Sequence, residues 1–490
     1  MDTDLLDIDT PDWVRDAVFY QIFPDRFVRS RRQRAARLEP WDSPPTVHGY
    51  KGGDLWGVIH RLDWLQELGV TALYFNPIFK SGSNHRYHTY DYYGVDPLLG
   101  GDEAFDALLE ACRARGMRVI LDGVFNHASR GFFQFHDILE NGDQSPYLDW
   151  FHVSGFPLYA YDEARPLGYA AWWGLPALPK FNTKTIAVRE FLWGVATHWL
   201  EKGIDGWRLD VPNEIADPGF WQEFRRRCRA VNPDAYIVGE IWDEAGHWLR
   251  GDQFDAVMNY PFTRAAFGFF GAGTLNEHEI RRCGYQHIPT IDQAEAFAAI
   301  LETLLNAHPP AINEVQLNLL GSHDTPRALT ILGGDEAAYC MALVFLMSYP
   351  GAPCLYYGDE LGLRGGHDPD CRASMPWDRP ESWNHGLLRT TKDLIALRKS
   401  SVALRRGSFR TLYAKEALYV MAREHEDERF IVAFNVSAKQ VRLELELGDA
   451  GQSLEGPYRA PLNGLSASVE SGRLSGHDIP ARSGAIFKRL

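Results

Sequence analysis

The chain has 490 residues, 45% hydrophobic and 23% charged, which is long enough for a large core and too long for one small domain. It has no apolar run of the roughly 18 residues that a membrane-spanning helix requires, and this argues against a membrane protein. Its formal charge of −15 argues against nucleic-acid binding, which relies on Lys and Arg to displace counterions, and suits a neutral substrate.

Read in chain order, the start Met1-Asp-Thr-Asp-Leu-Leu-Asp-Ile-Asp9 lacks the basic and apolar regions of a secretory signal, so a cytoplasmic location is expected. Short β-branched and aromatic runs then predict strands near Ala17–Ile22, Thr71–Asn76, Arg118–Val124, Gly206–Leu209, Tyr236–Glu240, Ala256–Asn259, Gln316–Gly321 and Pro353–Tyr356. Between them, apolar residues at three- and four-residue spacing predict helices such as Leu55–Leu68, Glu103–Arg115, Ile186–Lys202 and Phe220–Val231. Eight strands alternating with helices predict an α/β fold, a (β/α)8 TIM barrel with its active site at the C-terminal strand ends. Residues 1–126 and 186–405 are assigned to that barrel. Residues 127–185, rich in aromatics, Pro and Gly, are too long for a βα loop and are expected to form an inserted domain. From residue 406 to 490 the pattern changes to alternating segments such as Leu418–Ala422, Phe430–Asn435 and Val441–Leu447, which predicts a C-terminal antiparallel β-sandwich. The six cysteines, Cys112, Cys228, Cys283, Cys340, Cys354 and Cys371, form no C-x-x-C pair, which suits reduced thiols and gives no zinc signature.

Four short motifs fall at predicted strand ends: Asp122-Gly-Val-Phe-Asn126-His127, Gly206-Trp-Arg208-Leu-Asp210, Val238-Gly-Glu240-Ile-Trp242 and Ser322-His323-Asp324. Each alone is weak, since a lone carboxylate there can be a helix cap or an ion-pair partner. Together, in this order and at these strand ends, they are highly specific. Arg208, two residues before Asp210 on the same strand face, is expected to hold Asp210 ionised. His127 and His323 have two readings, as buried satisfied histidines or as donors to sugar hydroxyls. Asp122 reads as structural.

In order and placement these four motifs closely resemble glycoside hydrolase family 13, the α-amylase family. The resemblance implies a retaining mechanism with Asp210 as nucleophile, Glu240 as acid then base, and Asp324 as an ionised partner that distorts and stabilises the sugar. Asn84-His85-Arg86-Tyr87 resembles the family's loop after the second strand, with Tyr87 as a stacking platform. Leu178-Pro-Lys180-Phe-Asn resembles an element of the neopullulanase, cyclomaltodextrinase and maltogenic amylase subfamily, and Asp368-Pro-Asp-Cys-Arg372 resembles that subfamily's binding motif for the next sugar. Asn213, Glu214 and Trp242 match positions on the acceptor side, and Tyr20–Phe27 matches the first strand.

The chain departs from the subfamily in three ways: about fifteen residues precede the barrel in place of an N-terminal β-domain, His88 stands where Asp is usual, and Pro212 where Ala is usual. Monomer and homodimer both stay open. Trp172 and Trp173 read equally as a sugar-stacking wall and as local core. The six arginines between Arg26 and Arg37 read as a solvated or ion-paired loop rather than a nucleic-acid patch.

The resemblance implies hydrolysis of α-1,4 links in maltooligosaccharides, cyclodextrins, starch or pullulan, with maltose as main product and transglycosylation as a side activity. The alternatives are an exo-acting α-glucosidase or α-1,6-glucosidase, against which Leu178-Pro-Lys180 argues, and a non-catalytic sugar-binding relative. No cofactor is expected. Calcium in particular is not, because the loop Phe27-Val-Arg29-Ser-Arg31-Arg32-Gln-Arg34 leaves Asp54 as its one evident acidic ligand, whereas calcium takes six to eight oxygens. Arginine side chains are expected to fill that loop.

Overall fold

Runs of buried, mostly apolar residues set the barrel strands: β1 (Phe19–Ile22), β2 (Ala72–Phe75), β3 (Arg118–Gly123), β4 (Gly206–Leu209), β5 (Tyr236–Gly239), β6 (Ala256–Val257), β7 (Leu317–Leu319) and β8 (Ala352–Tyr356). The computed structural model describes residues 8–35 and 37–490, so most of the N-terminal reading lies outside the described residues. The strands pair in parallel from β1 through β6 and from β7 through β8 back to β1. A parallel bridge between Met258 and Leu317 closes the ring, helped by the Asn259 N–H donating to the Leu317 carbonyl at 2.8 Å. The fold is therefore the expected (β/α)8 barrel, with β4 over its predicted range, β8 one residue longer and the other six strands one to three residues shorter than the sequence pattern suggests. Gly206 shows how tightly it is drawn, since a Cβ there would stand 2.1 Å from the Tyr236 carbonyl oxygen.

The helix Ile186–Lys202 runs over its predicted length and stops at Gly203, whose φ of 106° suits only glycine. Leu55–Leu68 is not one helix. It forms Leu55–Ile59 and Leu62–Leu68, because the Arg61 N–H turns back to the Val58 carbonyl at 2.8 Å and tightens the turn between them.

The segment after β3 leaves and returns at one place: the Ala128 N–H donates to the Pro179 carbonyl at 3.1 Å, and the Phe181 N–H to the Asn126 carbonyl at 3.1 Å. Beyond the barrel, eight antiparallel strands between Ser408 and Arg489 form the C-terminal sheet. Leu418, Val420 and Ala422 face that unit's own core, while Tyr419 and Met421 pack against the barrel, the two-residue period of a strand. The predicted strand Val441–Leu447 shortens to Glu444–Glu446.

Beyond β8 two acids are buried. The Tyr20 hydroxyl donates to Glu360 Oε1 at 2.9 Å, and Arg327 donates to Asp359 Oδ1 at 2.8 Å. Burial pushes Asp359 up to about 6 and Glu360 up to about 8. Because both values are raised, the stability these groups contribute is present below the ordinary carboxyl range and is lost as pH rises through about 6 and 8. The melting temperature is expected to fall from about pH 4 to about pH 8, between the ordinary carboxyl values and the raised ones, and Glu360→Gln is expected to flatten that fall. Parallel pH curves for both proteins would contradict this.

Candidate active site

Strands β3, β4, β5 and β7 end on one rim, and period two turns Arg208 and Asp210 toward the same face. The Arg208 guanidinium is fully buried. It lies 2.8 Å from Asp122 Oδ1, 3.1 Å from Asp210 Oδ1, 2.8 Å from Glu240 Oε2 and 3.9 Å from Asp324 Oδ2. One cation thus faces four carboxyl groups. The structure brings the three acids named from sequence together, with Asp122 as a fourth member.

The electrostatics differ from expectation. Burial, reinforced by Glu240, Asp122 and Asp324, pushes Asp210 well above the usual carboxylate range despite the opposing pull of Arg208. Arg208 opposes that rise while shared among four carboxyl groups. Asp324 is pushed to about 7 by burial and by Glu240. The cluster therefore retains proton density near neutral pH, which an acid–base site requires.

Val211, directly after Asp210, has φ 36° and ψ 52°, a left-handed conformation costly for a β-branched residue. It presents its N–H to Glu240 Oε2 at 3.2 Å. The Trp242 indole N–H donates to Glu240 Oε1 at 3.1 Å, so both oxygens of Glu240 are oriented. Trp242 itself stacks on Tyr260 with centroids 3.7 Å apart. Gly284 makes room for it, since a Cβ there would lie 2.7 Å from the indole.

The two histidines behave differently. His323 Nδ1 lies 2.9 Å from Gln21 Nε2, and its Nε2 lies 2.6 Å from the Tyr87 hydroxyl and 3.2 Å from Asp324 Oδ2, so it is satisfied within the protein. His127 is buried, yet its Nε2 has no protein partner. Burial holds His127 down to about 3 and His323 well below its ordinary value, favouring the uncharged ring in each.

Tyr87 donates to Asp122 Oδ2 at 2.7 Å, accepts from Asn76 Nδ2 at 3.1 Å and stacks on His323 at 5.4 Å. His85 Nδ1 lies 3.2 Å from both Ser83 Oγ and the Tyr87 N–H nitrogen. His88 packs edge-on against His85 at 5.0 Å and is held down to about 4 by burial. Arg372 donates to the His323 carbonyl at 2.9 Å, pairs with Asp368 at 3.0 Å and reaches Asp324 at 3.5 Å. Lys180 pairs with Glu214 at 2.7 Å, next to an exposed Asn213.

Gln21, Asn76, Val211, Tyr260 and Tyr74, whose hydroxyl donates to Asp122 Oδ2 at 3.0 Å, escaped the sequence reading. Gln21 and Asn76 had a signal, as polar residues at the ends of otherwise apolar strands; Val211 had none. The Trp172–Trp173 pair is not local core, because Trp173 is 81% exposed.

In the first loop, Arg29 donates to the Lys51 and Glu39 carbonyls at 2.8 and 3.0 Å, and Arg26 to the Arg372 and Gly49 carbonyls at 3.0 Å each. Asp54 is committed as a helix cap, accepting from the Gly57 N–H at 2.7 Å and the Ser30 hydroxyl at 2.8 Å. These residues do not fit a calcium ion. Among the described residues no group of three or more His, Cys, Asp or Glu side chains could hold a metal, and no helix is long and apolar enough to cross a membrane.

A carboxyl cluster around one arginine at the C-terminal mouth of a parallel barrel defines the class as a barrel glycosidase. Residues 21–407 match the family model described as alpha amylase, catalytic domain, and the chain belongs to the α-amylase family of glycoside hydrolases. It is 44% identical over 449 residues to a cyclomaltodextrinase of Geobacillus thermopakistaniensis, covering 91% of this chain and 73% of that one. It is also 44% identical over 447 residues to neopullulanase 2 of Thermoactinomyces vulgaris, covering 90% and 73%. The solved debranching enzyme of Nostoc punctiforme superposes with a TM-score of 0.90 at 47% identity, over 98% of this chain and all of that one.

Proposed function

We propose that this enzyme hydrolyses α-1,4-glucosidic bonds of maltooligosaccharides, cyclodextrins, starch or pullulan with retention of configuration, in an intracellular setting. The observation that carries this reading is the set of contacts made by Arg208 with Asp122, Asp210, Glu240 and Asp324. Asp210 attacks the anomeric carbon, Glu240 protonates the departing oxygen, and water then releases the glycosyl-enzyme with Glu240 as base. A sugar hydroxyl in place of water gives transglycosylation. The orphaned His127 Nε2 supplies a donor for a hydroxyl of the reacting sugar, and Arg372 with Asp368 borders the next one.

Glu240→Gln is expected to lose about 10³-fold or more of activity on maltotriose and far less on an α-maltosyl fluoride, whose leaving group needs little proton assistance. Equal losses on both substrates would remove Glu240 from the acid role. A second reading, cleavage of α-1,6 links, is favoured by the full-length likeness to the Nostoc debranching enzyme. Pullulan separates the two, since α-1,4 cleavage releases panose and α-1,6 cleavage releases maltotriose.

We propose further that fold and activity stand without calcium. Support comes from Arg29, which occupies the Lys51 and Glu39 carbonyls, and from the commitment of Asp54 to capping. Exhaustive EDTA treatment is expected to leave the melting temperature and the activity unchanged. A fall of several degrees, restored by calcium and not by magnesium, would contradict this.

A further inference from the structure

Residues 169–181 form a loop with internal hydrogen bonds whose tip carries Trp172 and Trp173. The Trp172 N–H donates to the Leu178 carbonyl at 2.9 Å, the Leu175 N–H to the Trp172 carbonyl at 3.0 Å, and the buried Tyr169 hydroxyl to the Pro176 carbonyl at 2.6 Å. Trp173 sits in left-handed backbone at φ 51° and ψ 22°, and Gly174 follows at φ 68°. The loop thus holds in place an indole left 81% exposed on a backbone conformation that few residues adopt.

That indole is not isolated from the site. Trp172 lies parallel to His127 with centroids 5.2 Å apart, and Trp173 lies parallel to Trp172 at 4.5 Å. The three rings make one continuous stack from a buried imidazole in the catalytic pocket to solvent. Exposed Tyr161, by contrast, has its face covered by Arg130 at 4.2 Å. Among the described residues no second ring or cation lies against Trp173.

We infer that Trp173 is a sugar-stacking platform for an α-glucan chain passing outward from the His127 subsite, and that Trp172 is the positioning residue that sets the His127 ring. The inference rests on the α-glucan reading above. A pyranose ring offers a flat face of C–H groups with hydroxyls at its edge, and an exposed, rigid indole face suits such a ring. The outer platform contributes to binding of longer chains. The inner ring acts through His127, whose unpartnered Nε2 requires a fixed orientation to meet a hydroxyl.

The test measures binding of maltohexaose and maltotriose by calorimetry in the Glu240→Gln background, with Trp173→Ala and Trp173→Phe added. Trp173→Ala is expected to raise the Kd for maltohexaose about tenfold, equivalent to about 1.4 kcal/mol, and to raise that for maltotriose by a clearly smaller factor. Trp173→Phe is expected to restore most of the difference. In the otherwise unaltered enzyme, Trp172→Ala is expected to lower kcat more than it raises KM, the reverse of Trp173→Ala on maltohexaose. A maltohexaose Kd within twofold of the parent, or equal losses for the two oligosaccharides, would overturn the platform. If the Glu240→Gln parent binds neither oligosaccharide, the α-glucan reading fails and the platform with it, an outcome distinct from loss of length dependence alone.

Discussion

Asp210→Asn is expected to reduce turnover by about 10⁴-fold or more on every substrate, activated ones included, because an amide cannot form the covalent ester that the mechanism requires. The substitution is nearly isosteric. Asp210 makes one polar side-chain contact, with Arg208 at 3.1 Å, so folding is expected to survive and the loss to lie in kcat. It differs from Glu240→Gln in one respect that kinetics can read: an α-maltosyl fluoride rescues the variant lacking the acid and does not rescue the one lacking the nucleophile. Steady-state rates on the fluoride and on maltotriose check this, and substantial turnover of the fluoride by Asp210→Asn would sink the assignment.

The second large effect belongs to Arg208. Replacing it by Met leaves Asp122, Asp210 and Glu240 buried without their shared cation, and breaking a buried pair by removing one partner typically costs about 3–5 kcal/mol. Without the cation Asp122 and Asp210, already raised by burial, lose the pull that lowers them. A raised value means stability that is present at low pH and lost as pH rises through it, so the destabilisation of Arg208→Met is expected to be largest near neutral pH and smaller toward about pH 4. Arg208→Lys keeps the charge but not the planar fork that reaches Asp122 with one nitrogen and Glu240 with the other, and is expected to recover stability better than activity. Chemical unfolding at several pH values measures this. A melting curve for Arg208→Met unchanged from the parent would show that the cluster does not depend on its cation.

Much of this was legible in the sequence for a physical reason. Strands β1 to β8 are largely buried on both faces, so they read as apolar runs, and polar residues recurring in order at the ends of such runs stand out from them. Arg208 and Asp210 illustrate it, two residues apart on one face. The Leu178-Pro-Lys180 element also found its place, because the inserted segment returns beside Asn126 and His127 and so brings Lys180 to the rim.

What the sequence could not show depends on long-range geometry. The sharing of Arg208 among four carboxyls arises only when four strand ends meet, and burial with the neighbouring acids is why Asp210 is raised despite that cation. The unlike fates of His127 and His323 turn on Gln21 and Tyr87, which lie far from both in the chain. Val211 is a good strand former, and nothing local announces that it turns left-handed to aim its N–H at Glu240. The break between Ile59 and Leu62 is similarly silent, since apolar spacing continues across it.

The most direct measurement is peptide mapping by mass spectrometry after the Glu240→Gln variant has been incubated with an α-maltosyl fluoride. The fluoride permits attack without acid assistance, and loss of the base slows release by water. The account predicts a covalent maltosyl ester on Asp210, absent when Asp210→Asn is added. An adduct on another residue, or turnover of the fluoride by Glu240→Gln with no adduct and with inverted maltose as the first product, would contradict it.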